Sequence, residues 1–508
     1  MLRRAIDRRR RGARGRRAYE AFRAEVEPRL APRAHRFAAV PQPLAGADPR
    51  PVAVAIDVEG GGDVARTRAS LESQTRAPAA VVEARGPDTL SATRAEWVAV
   101  VAAGDVLAPG ALEALGRAAA LPGPAAALPA LITCDEDRLD RRGRRVDPVC
   151  RPGPSPDLML TRDPAGALLV AAREPALAVR PAAGRTGWRH DLALALAGPD
   201  AAGHAHVPSI LCHAAAPRAG PARPPVTRPV RGEPSVEVVV CFRDRPELLE
   251  RCARSVLEGT AYERLALRLV DNGSAEPATA SLLDGLAHDP RVTVDRDDRA
   301  FHFSALNNAA AARSDADVLV LLNNDAEVQG AGWVEGLLGE AQREEVGAVA
   351  PLLLHGDGRV QHAGAAIGIH GYAGHPFAGL RPDEATPFGT ATDGPRNWLA
   401  VTAACLMVER DKFARVGGFD EGFAIGGGDV DLCLRLLAAG HRSLCVPGVR
   451  LRHDESASRD PLDLPAGDYE MSRRRYGEYL TVGDPFYNPN LTLADTSCQV
   501  RRVGEEVG

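Results

Sequence analysis

Asp325 has the residue type and the surroundings for metal-assisted chemistry. It follows Asn323 and Asn324, directly after the apolar run Val318–Leu322. An uninterrupted run of valine and leucine is typical of a central strand buried on both faces. Ligands of open α/β sheets bind beyond the carboxyl ends of such strands, where a carboxylate can offer hard oxygen to a divalent cation on a phosphate. A simple turn, which Asn and Asp also favour, remains the alternative.

Asp429 and His453 are the other two candidates for this chemistry. Asp429 follows three glycines and opens a run with apolar residues at helical spacing, so the helix dipole favours an exposed carboxylate there; helix capping alone would also explain it. His453 follows a predicted strand at 443–446, and a lone histidine carries little weight by itself. Together with Asp325 they suggest one reaction, in which a metal neutralises a departing diphosphate and Asp429 takes a proton from an attacking hydroxyl.

Alternating strands and helices must position these side chains. In the second half, strands are predicted at 236–241, 265–270 and 318–322, with helices at 246–257 and 304–312 between them. The first half shows a weaker version of the same order, and its apolar run Trp97–Ala102 ends before Asp105. This alternation predicts an α/β fold with two tandem domains and mostly parallel central sheets.

A proline- and arginine-rich stretch at 216–234 marks the predicted domain boundary, because such a composition favours an extended linker. The predicted segments are a basic helical N-terminal segment (1–48), a first α/β domain (49–215), the linker (216–234), a second domain (235–490) and a C-terminal tail (491–508).

Composition excludes several classes of protein. The chain has 508 residues, 45% apolar content and a net charge of -5, so it can bury large cores and we expect no nucleic-acid partner. Nine cysteines without a C-x-x-C pair argue against a disulfide framework and for a reducing compartment. No apolar run reaches the ~18 residues of a membrane span, and no G-x-G-x-x-G follows a first strand. We predict a cytoplasmic protein.

An arginine cluster lies near the N-terminus, at Arg3, Arg4 and 8–11. Such a cluster can lie on an anionic membrane surface, or it can be a solvated tail. Peripheral contact with the inner face of the plasma membrane is therefore one hypothesis for this segment.

The second half resembles the family 2 glycosyltransferases of GT-A fold, close to bacterial rhamnosyltransferase-like proteins of surface polysaccharide synthesis. The series of motifs, in the family's order over roughly 235–490, carries this resemblance, since no single motif is decisive. The matching segments are VVVCFRDRP (238–246), VDNGS (270–274), FSALNN (303–308), LLNNDAEV (321–328), DGRVQHAG (357–364), VTAACLMV (401–408), GGFDE (417–421), DVDLCLRL (429–436) and HDESASR (453–459).

The resemblance implies an inverting transfer from a nucleotide-diphosphate sugar, a UDP- or dTDP-sugar, to a glycan or lipid-linked acceptor. It implies Asp429 as the general base, and Asp325 with His453 as ligands of Mn²⁺ or Mg²⁺. The residues implied to bind the nucleotide sugar are Phe242, Asp271, Asn307, Asn324 and Asp325. Two departures are notable: Asn323 replaces the first Asp of D-x-D, and Gly428 stands where many relatives have Glu or Asn.

Residues 365–397 resemble the family's acceptor-facing loop, which suggests acceptor contacts for His375, Arg396 and Trp398. An aromatic ring there can stack on a sugar, although Trp398 can equally belong to the core.

The first half resembles a degenerate GT-A-like domain. It retains Asp105 from D-x-D, and Asp191 and His213 match the base and the downstream histidine. Its other nucleotide-binding signals are eroded, which suggests a scaffold or an acceptor-binding role. The alternatives are a bifunctional polymerase with both domains active, and a non-catalytic sugar- or nucleotide-binding scaffold.

Overall fold

The computed structural model describes residues 15–37, 39–123, 126–163, 165–180, 187–216, 228–453 and 465–505. The N-terminal arginine cluster and linker residues 217–227 lie outside these ranges. The chain divides into two compact units. The first comprises Met1–Pro224, Ala385–Gly389 and Val482–Gly508, and the second comprises Pro225–Glu384 and Thr390–Thr481. Residues 482–508 thus belong to the first unit, although the second unit lies between them and residues 1–224 in the sequence.

The first unit is built on one mixed sheet with helices around it. Its strands are β1 (Arg33–Arg36), β2 (Ala39–Pro43), β3 (Val52–Asp57), β4 (Val81–Ala84), β5 (Trp97–Ala102), β6 (Val106–Leu107), β7 (Leu131–Leu139), β8 (Arg145–Val149), β9 (Leu168–Ala172) and β10 (His204–Ala214). Its α-helices are α1 (Val64–Glu72), α2 (Ala111–Ala120), α3 (Pro156–Met159), α4 (Arg173–Ala178) and α5 (Trp188–Ala197).

The second unit is likewise built on one mixed sheet with helices around it. Its strands are β11 (Val236–Phe242), β12 (Leu265–Asp271), β13 (Val292–Arg296), β14 (Val318–Leu322), β15 (Ala326–Gln329), β16 (Val346–Leu354), β17 (Val360–His362), β18 (Ala366–Ile367), β19 (Ala373–Gly374), β20 (Arg396–Trp398), β21 (Cys405–Glu409) and β22 (Arg442–His453). Its helices are α6 (Pro246–Glu258), α7 (Pro277–Leu286), α8 (Phe303–Ala312), α9 (Trp333–Ala341), α10 (Arg410–Arg415), α11 (Gly428–Ala438) and α12 (Ala466–Val482).

The two sheets share a central strand order when one of them is read in reverse, β10-β7-β9-β5-β3-β4 corresponding to β22-β16-β21-β14-β11-β12, and their edge strands differ. The first runs β2-β1-β10-β7-β9-β5-β3-β4, and the second β13-β12-β11-β14-β21-β16-β22-β15. Strand β21 is antiparallel to β14 as β9 is to β5, and β16 is parallel to β22 as β7 is to β10. The predicted α/β class, with one sheet in each unit, is therefore confirmed. Parallel pairing joins β13 to β12, β12 to β11 and β11 to β14, while antiparallel β21 links this half of the sheet to β16.

Periodicity in the sequence explains how these elements bury their side chains. All five residues of β14 are buried, as its continuous apolar run predicts for a central strand. Helix α6 has proline at its first turn and buries a stripe at helical spacing, formed by Leu248, Leu249, Cys252, Ala253, Val256 and Leu257. Among the residues that the structure describes, no helix is both long and apolar enough to cross a bilayer.

Candidate functional site

The pairing of β15 with β22 brings Asp325 next to His453. Ala326, the residue after Asp325, lies opposite His453 in the antiparallel register. Asp325 Oδ1 is 3.1 Å from His453 Nε2, and both residues are buried. The Asn323 side-chain nitrogen lies 3.3 Å from the same imidazole nitrogen. The strand end predicted from the apolar run therefore meets a histidine from the far end of the second unit.

The donor set of this pair fits a divalent cation. Within the described ranges, Asp325 Oδ1 accepts no hydrogen bond although it is buried, and His453 Nδ1 also has no hydrogen-bond partner. A buried carboxylate oxygen normally accepts a hydrogen bond. An oxygen that accepts none and lies next to an imidazole nitrogen is well placed to bind a metal ion together with that nitrogen. In the part of the chain that is described, no group of three His, Cys, Asp or Glu could hold an ion. A bound cation would therefore need further ligands from phosphate oxygens or water.

Asp429 is the second residue of α11 and is half-buried. Its Oδ2 accepts the Ala403 amide at 3.2 Å, and its Oδ1 accepts the Val430 amide at 2.9 Å. The preceding Gly427 has a φ of +84°, and a Cβ there would lie 2.5 Å from Ser472 Oγ. Glycine is thus required to bring the chain into the helix that presents Asp429.

One short segment, residues 402–404, connects the surroundings of the two acids. The Ala404 carbonyl accepts the Asn323 amide at 3.0 Å, on the strand end that leads to Asp325. The neighbouring Ala403 donates to Asp429. Asp429 and the strand end that leads to Asp325, which is 104 positions earlier in sequence (429 − 325), are therefore hydrogen-bonded to the same segment.

A pair of histidines lies beside this segment. The Thr402 amide donates to His362 Nε2 at 3.4 Å, and His362 Nδ1 is 2.8 Å from His375 Nδ1. Since Nε2 accepts, this network assigns the proton of His362 to Nδ1, from which it is donated to His375. Burial, followed by the neighbouring His375 and His453, holds the pKa of His362 well below its usual value. His362 is therefore a neutral imidazole that joins the predicted acceptor residue His375 to the segment between the acids.

The residues predicted to bind a nucleotide lie at the ends of β11 and β12. Phe242 and Asp271 are the last residues of these parallel strands and pair in register. Asp271 is buried, and its two oxygens accept the Ser274 amide and the Arg296 guanidinium, each at 2.8 Å. The carboxyl ends of β11, β12 and β14 lie at one edge of the sheet, which is where open α/β sheets bind ligands.

The two predicted asparagines have different environments. Asn307 is buried in α8, where its amide donates to the Phe303 carbonyl at 2.9 Å. Asn324 is half-buried in the turn between β14 and β15, directly before Asp325. Asn324 therefore lies next to the Asp325–His453 pair, whereas the Asn307 amide is engaged within its own helix. Their predicted nucleotide contacts stay predictions.

With this geometry established, the chain can be compared with known proteins. Residues 237–392 match the family model described as Glycosyl transferase family 2. The second unit contains a family 2 glycosyltransferase domain. The match confirms the resemblance inferred from the motifs, and it covers the region that carries Phe242, Asp271 and Asp325.

Known proteins that are similar to the chain include two relatives and one solved structure. It is 38% identical to the O-antigen biosynthesis protein RfbC of Myxococcus xanthus over 87% of the chain and 38% of that protein. It is 33% identical to the N-acetylglucosaminyl-diphospho-decaprenol L-rhamnosyltransferase of Mycobacterium tuberculosis over 31% of the chain and 53% of that protein. The chain therefore spans about two fifths to half of these relatives' lengths. A crystal structure of GalNAc-T7 with UDP, GalNAc and Mn2+ aligns with a TM-score of 0.40 and 20% identity over 48% of each chain.

Arg396 and Trp398 lie in the second unit, just after the matched region 237–392, on the buried strand β20. Trp398 is 1% exposed, and its indole nitrogen would lie 2.1 Å from a Cβ on Gly364, so the ring packs directly on that backbone. The Arg396 guanidinium lies over the rings of Trp398 and Phe377, at 5.4 Å from each centroid. These contacts are typical of core residues, and a role in acceptor binding remains a prediction for both.

The sequence analysis missed the part of helix α12 that supports the Asp429 loop. Asp468 accepts three successive amides of that loop, from Ala424, Ile425 and Gly426, at 2.8 to 2.9 Å. The Tyr476 hydroxyl donates to the Gly427 carbonyl at 2.8 Å. No local motif marks either residue, because both act on a loop about forty positions earlier. The acidic side chain of Asp468 was the one signal available in the sequence.

The first unit lacks the same acid at its equivalent helix start. Asp191 is the fourth residue of α5, as Asp431 is the fourth of α11, and the Asp-Leu-x-Leu pattern follows both. The second position of α5, which corresponds to Asp429, is Arg189. Its guanidinium donates to the carbonyls of Gly166 and Ala167 at 3.0 and 2.9 Å. The correspondence inferred from sequence between Asp191 and the general base is therefore shifted by two residues.

Proposed function

We propose that the chain is an inverting glycosyltransferase that moves a sugar from a nucleotide-diphosphate donor to a hydroxyl of a polysaccharide or lipid-linked glycan. The observation that carries this proposal is the pair formed by Asp325 Oδ1 and His453 Nε2, 3.1 Å apart, near the segment that binds Asp429. A metal-binding pair and a carboxylate base beside one segment are the two groups that this transfer needs.

Each side chain has a distinct role in the proposed reaction. Asp429, at the N-terminus of α11, accepts the proton of the acceptor hydroxyl as that oxygen attacks the anomeric carbon opposite the leaving nucleotide. Asp325 and His453 would hold Mn²⁺ or Mg²⁺, which supplies charge neutralisation at the diphosphate leaving group. The Ala403 amide orients the Asp429 carboxylate through Oδ2. Asp271, at the end of β12, is the proposed contact for the nucleobase.

The relatives support a place in surface polysaccharide synthesis. One is described as an O-antigen biosynthesis protein, and another transfers L-rhamnose to a diphosphate-linked decaprenol by its name. We extend these descriptions to this chain as a proposal: a UDP- or dTDP-sugar as donor and a lipid-linked or polymeric glycan as acceptor.

The first unit is proposed to be non-catalytic and to serve as a scaffold or to bind the acceptor. The support is Arg189, which stands where the second unit has Asp429, since a guanidinium cannot act as a base at neutral pH.

A donor screen with the purified full chain tests the proposal. Release of UDP or dTDP is measured from UDP- and dTDP-sugars, with and without Mn²⁺ or Mg²⁺. We expect release that depends on the cation and is lost in Asp429→Asn, with Asp431→Asn on the same helix as the matched control. Release that is equal in wild type and Asp429→Asn would refute the assignment of the base. Failure of wild type to bind any nucleotide diphosphate in the presence of either cation would refute the proposed function as a whole.

A further inference from the structure

Tyr469 on α12 is a large aromatic side chain that the fold leaves accessible. It is 42% exposed, in contrast to the nearly complete burial of most aromatic residues of the second unit. Its ring stacks on that of Tyr372, with centroids 5.5 Å apart and an interplanar angle of 15°. Tyr372 lies between Tyr469 and the buried Tyr476, whose ring centroid is 5.6 Å away. The inner rings fix the orientation of the outer one, so that Tyr469 presents a preorganised aromatic surface.

This aromatic surface is connected to the base by hydroxyl groups. The Tyr372 hydroxyl is 2.5 Å from Ser472 Oγ, which lies 3.3 Å from the Tyr476 hydroxyl. Tyr476 in turn binds the carbonyl of Gly427, two residues before Asp429. Burial and, to a smaller extent, the Asp429 carboxylate raise the pKa of Tyr372. The tyrosine pair is therefore linked, through Ser472 and Tyr476, to the loop that presents Asp429.

The chemistry of the surface points to a sugar ring. A pyranose has one face of C–H groups, which packs on an aromatic ring, and an edge of hydroxyls, which needs polar partners. Tyrosine offers both, at a low cost in conformational entropy. In the proposed reaction the acceptor loses its proton to the base, and the donor's leaving group lies at the Asp325–His453 pair. A group beside the base therefore contacts the acceptor. A nucleobase is the other flat ligand that could stack here, but the proposed nucleobase residue Asp271 ends a different strand, β12.

We propose that Tyr469, backed by Tyr372, forms an acceptor subsite that stacks on a pyranose ring of the glycan whose hydroxyl Asp429 deprotonates. This inference rests on the proposed function and specifies the side chain that recognises its acceptor. It places acceptor recognition on α12, which lies outside the region 237–392 matched by the family model.

Ligand-observed NMR titrations of the full chain, saturated with UDP and Mn²⁺, test the subsite. The probes are the methyl glycosides of rhamnose, galactose and N-acetylglucosamine. We expect at least one to bind wild type, and Tyr469→Ala to weaken that binding roughly three- to ten-fold, the range of one aromatic contact. Tyr469→Phe, which keeps the ring, should bind as wild type does. Val294→Ala, at another exposed apolar residue of the second unit, is the matched control and should have no effect.

The outcomes separate this inference from the function on which it rests. UDP binding in the presence of Mn²⁺, measured first, reports on the proposed function and should be unchanged in Tyr469→Ala. If UDP binds wild type but no glycoside does, or if Tyr469→Ala binds the glycoside as tightly as wild type, the subsite is overturned. Loss of UDP affinity in Tyr469→Ala would also overturn it, since the ring would then contact the nucleotide. Because Tyr469 is exposed, we expect the melting temperature of the variant to match that of wild type.

Discussion

The two units share a strand order but use their strand-end carboxylates differently. Asp325 precedes Ala326, which pairs with His453, and Asp105 precedes Val106, which pairs with His213. In the second unit the acid faces the histidine without a hydrogen bond to that oxygen. In the first unit Asp105 accepts the Ala215 amide at 2.9 Å. One backbone plan thus leaves a carboxylate oxygen available in one unit and engages it in the other.

The histidine is also engaged in the first unit. His213 Nδ1 lies 2.6 Å from Asp137, a buried acid that binds Tyr19 and Arg145 as well. These partners come from the N-terminal segment and from β8, and they complete an internal network around Asp137. A carboxylate that is fully paired inside the protein stabilises the fold and is poorly placed to bind an added cation. The comparison indicates that neighbouring groups, more than the position in the sheet, decide whether a strand-end carboxylate oxygen is hydrogen-bonded by the fold or has no donor among the described residues.

The largest expected effect is the loss of turnover in Asp429→Asn. The amide keeps the shape of the side chain but cannot take a proton, so we expect kcat to fall by about three orders of magnitude. Asp191→Asn, at the acid that the sequence pattern matched to the base in the first unit, should leave kcat unaltered, because Arg189 and not Asp191 stands at the position of Asp429. Steady-state release of nucleotide diphosphate measures both variants. A comparable loss in Asp191→Asn would indicate that both units are catalytic.

Asp325→Ala should weaken cation-dependent binding of the nucleotide diphosphate by about a hundred-fold, because even indirect partners of metal ligands affect affinity 10- to 100-fold. Calorimetric titration of UDP with and without Mn²⁺ measures this change. Binding without the cation should stay the same, and the melting temperature should not fall, since the lost oxygen accepts no hydrogen bond from the described residues. Unchanged binding with Mn²⁺ would exclude Asp325 as a ligand.

The C-terminal residues should matter for stability and not for chemistry. Asn490 donates to the buried Asp135 at 2.7 Å and to the Pro208 carbonyl at 2.9 Å. Asn490→Ala leaves both buried acceptors with one donor fewer, which should lower the free energy of unfolding of the first unit by about 2 kcal/mol. Urea unfolding measures it, with the half-buried Gln499→Ala as the control in the same segment. If the variant turned over more slowly under conditions in which all of it is folded, the C-terminal residues would matter for chemistry as well as for stability, and the prediction would be wrong.

The smallest expected effect belongs to Asp105→Asn. Asparagine retains an oxygen for the Ala215 amide, so we expect no change in fold, in cation-dependent nucleotide binding or in turnover. Product analysis on a natural glycan acceptor provides the sharper measurement. Selective loss of one type of linkage would show that the first unit is active, and would replace the scaffold proposal by the bifunctional one.

The sequence by itself determined the α/β class, the repeat of the strand order, and the series of motifs that led to Asp325, Asp429 and His453. Each of these depends on local information: a continuous apolar run, a glycine before a helix, a polar residue at a strand end. The same information placed the start of α11 within a residue, because only glycine tolerates the backbone at Gly427.

Only the tertiary structure decided which strand-end carboxylate oxygens are hydrogen-bonded within the fold and which have no donor among the described residues. Asp105 and Asp325 look alike in sequence, but the partner of the first is the Ala215 amide and that of the second is His453, each more than a hundred positions away. The support of the Asp429 loop by Asp468, the burial of Trp398 and the stacking of Tyr469 on Tyr372 likewise join distant segments. Hydrogen bonding and burial depend on these long-range neighbours, which no local pattern specifies.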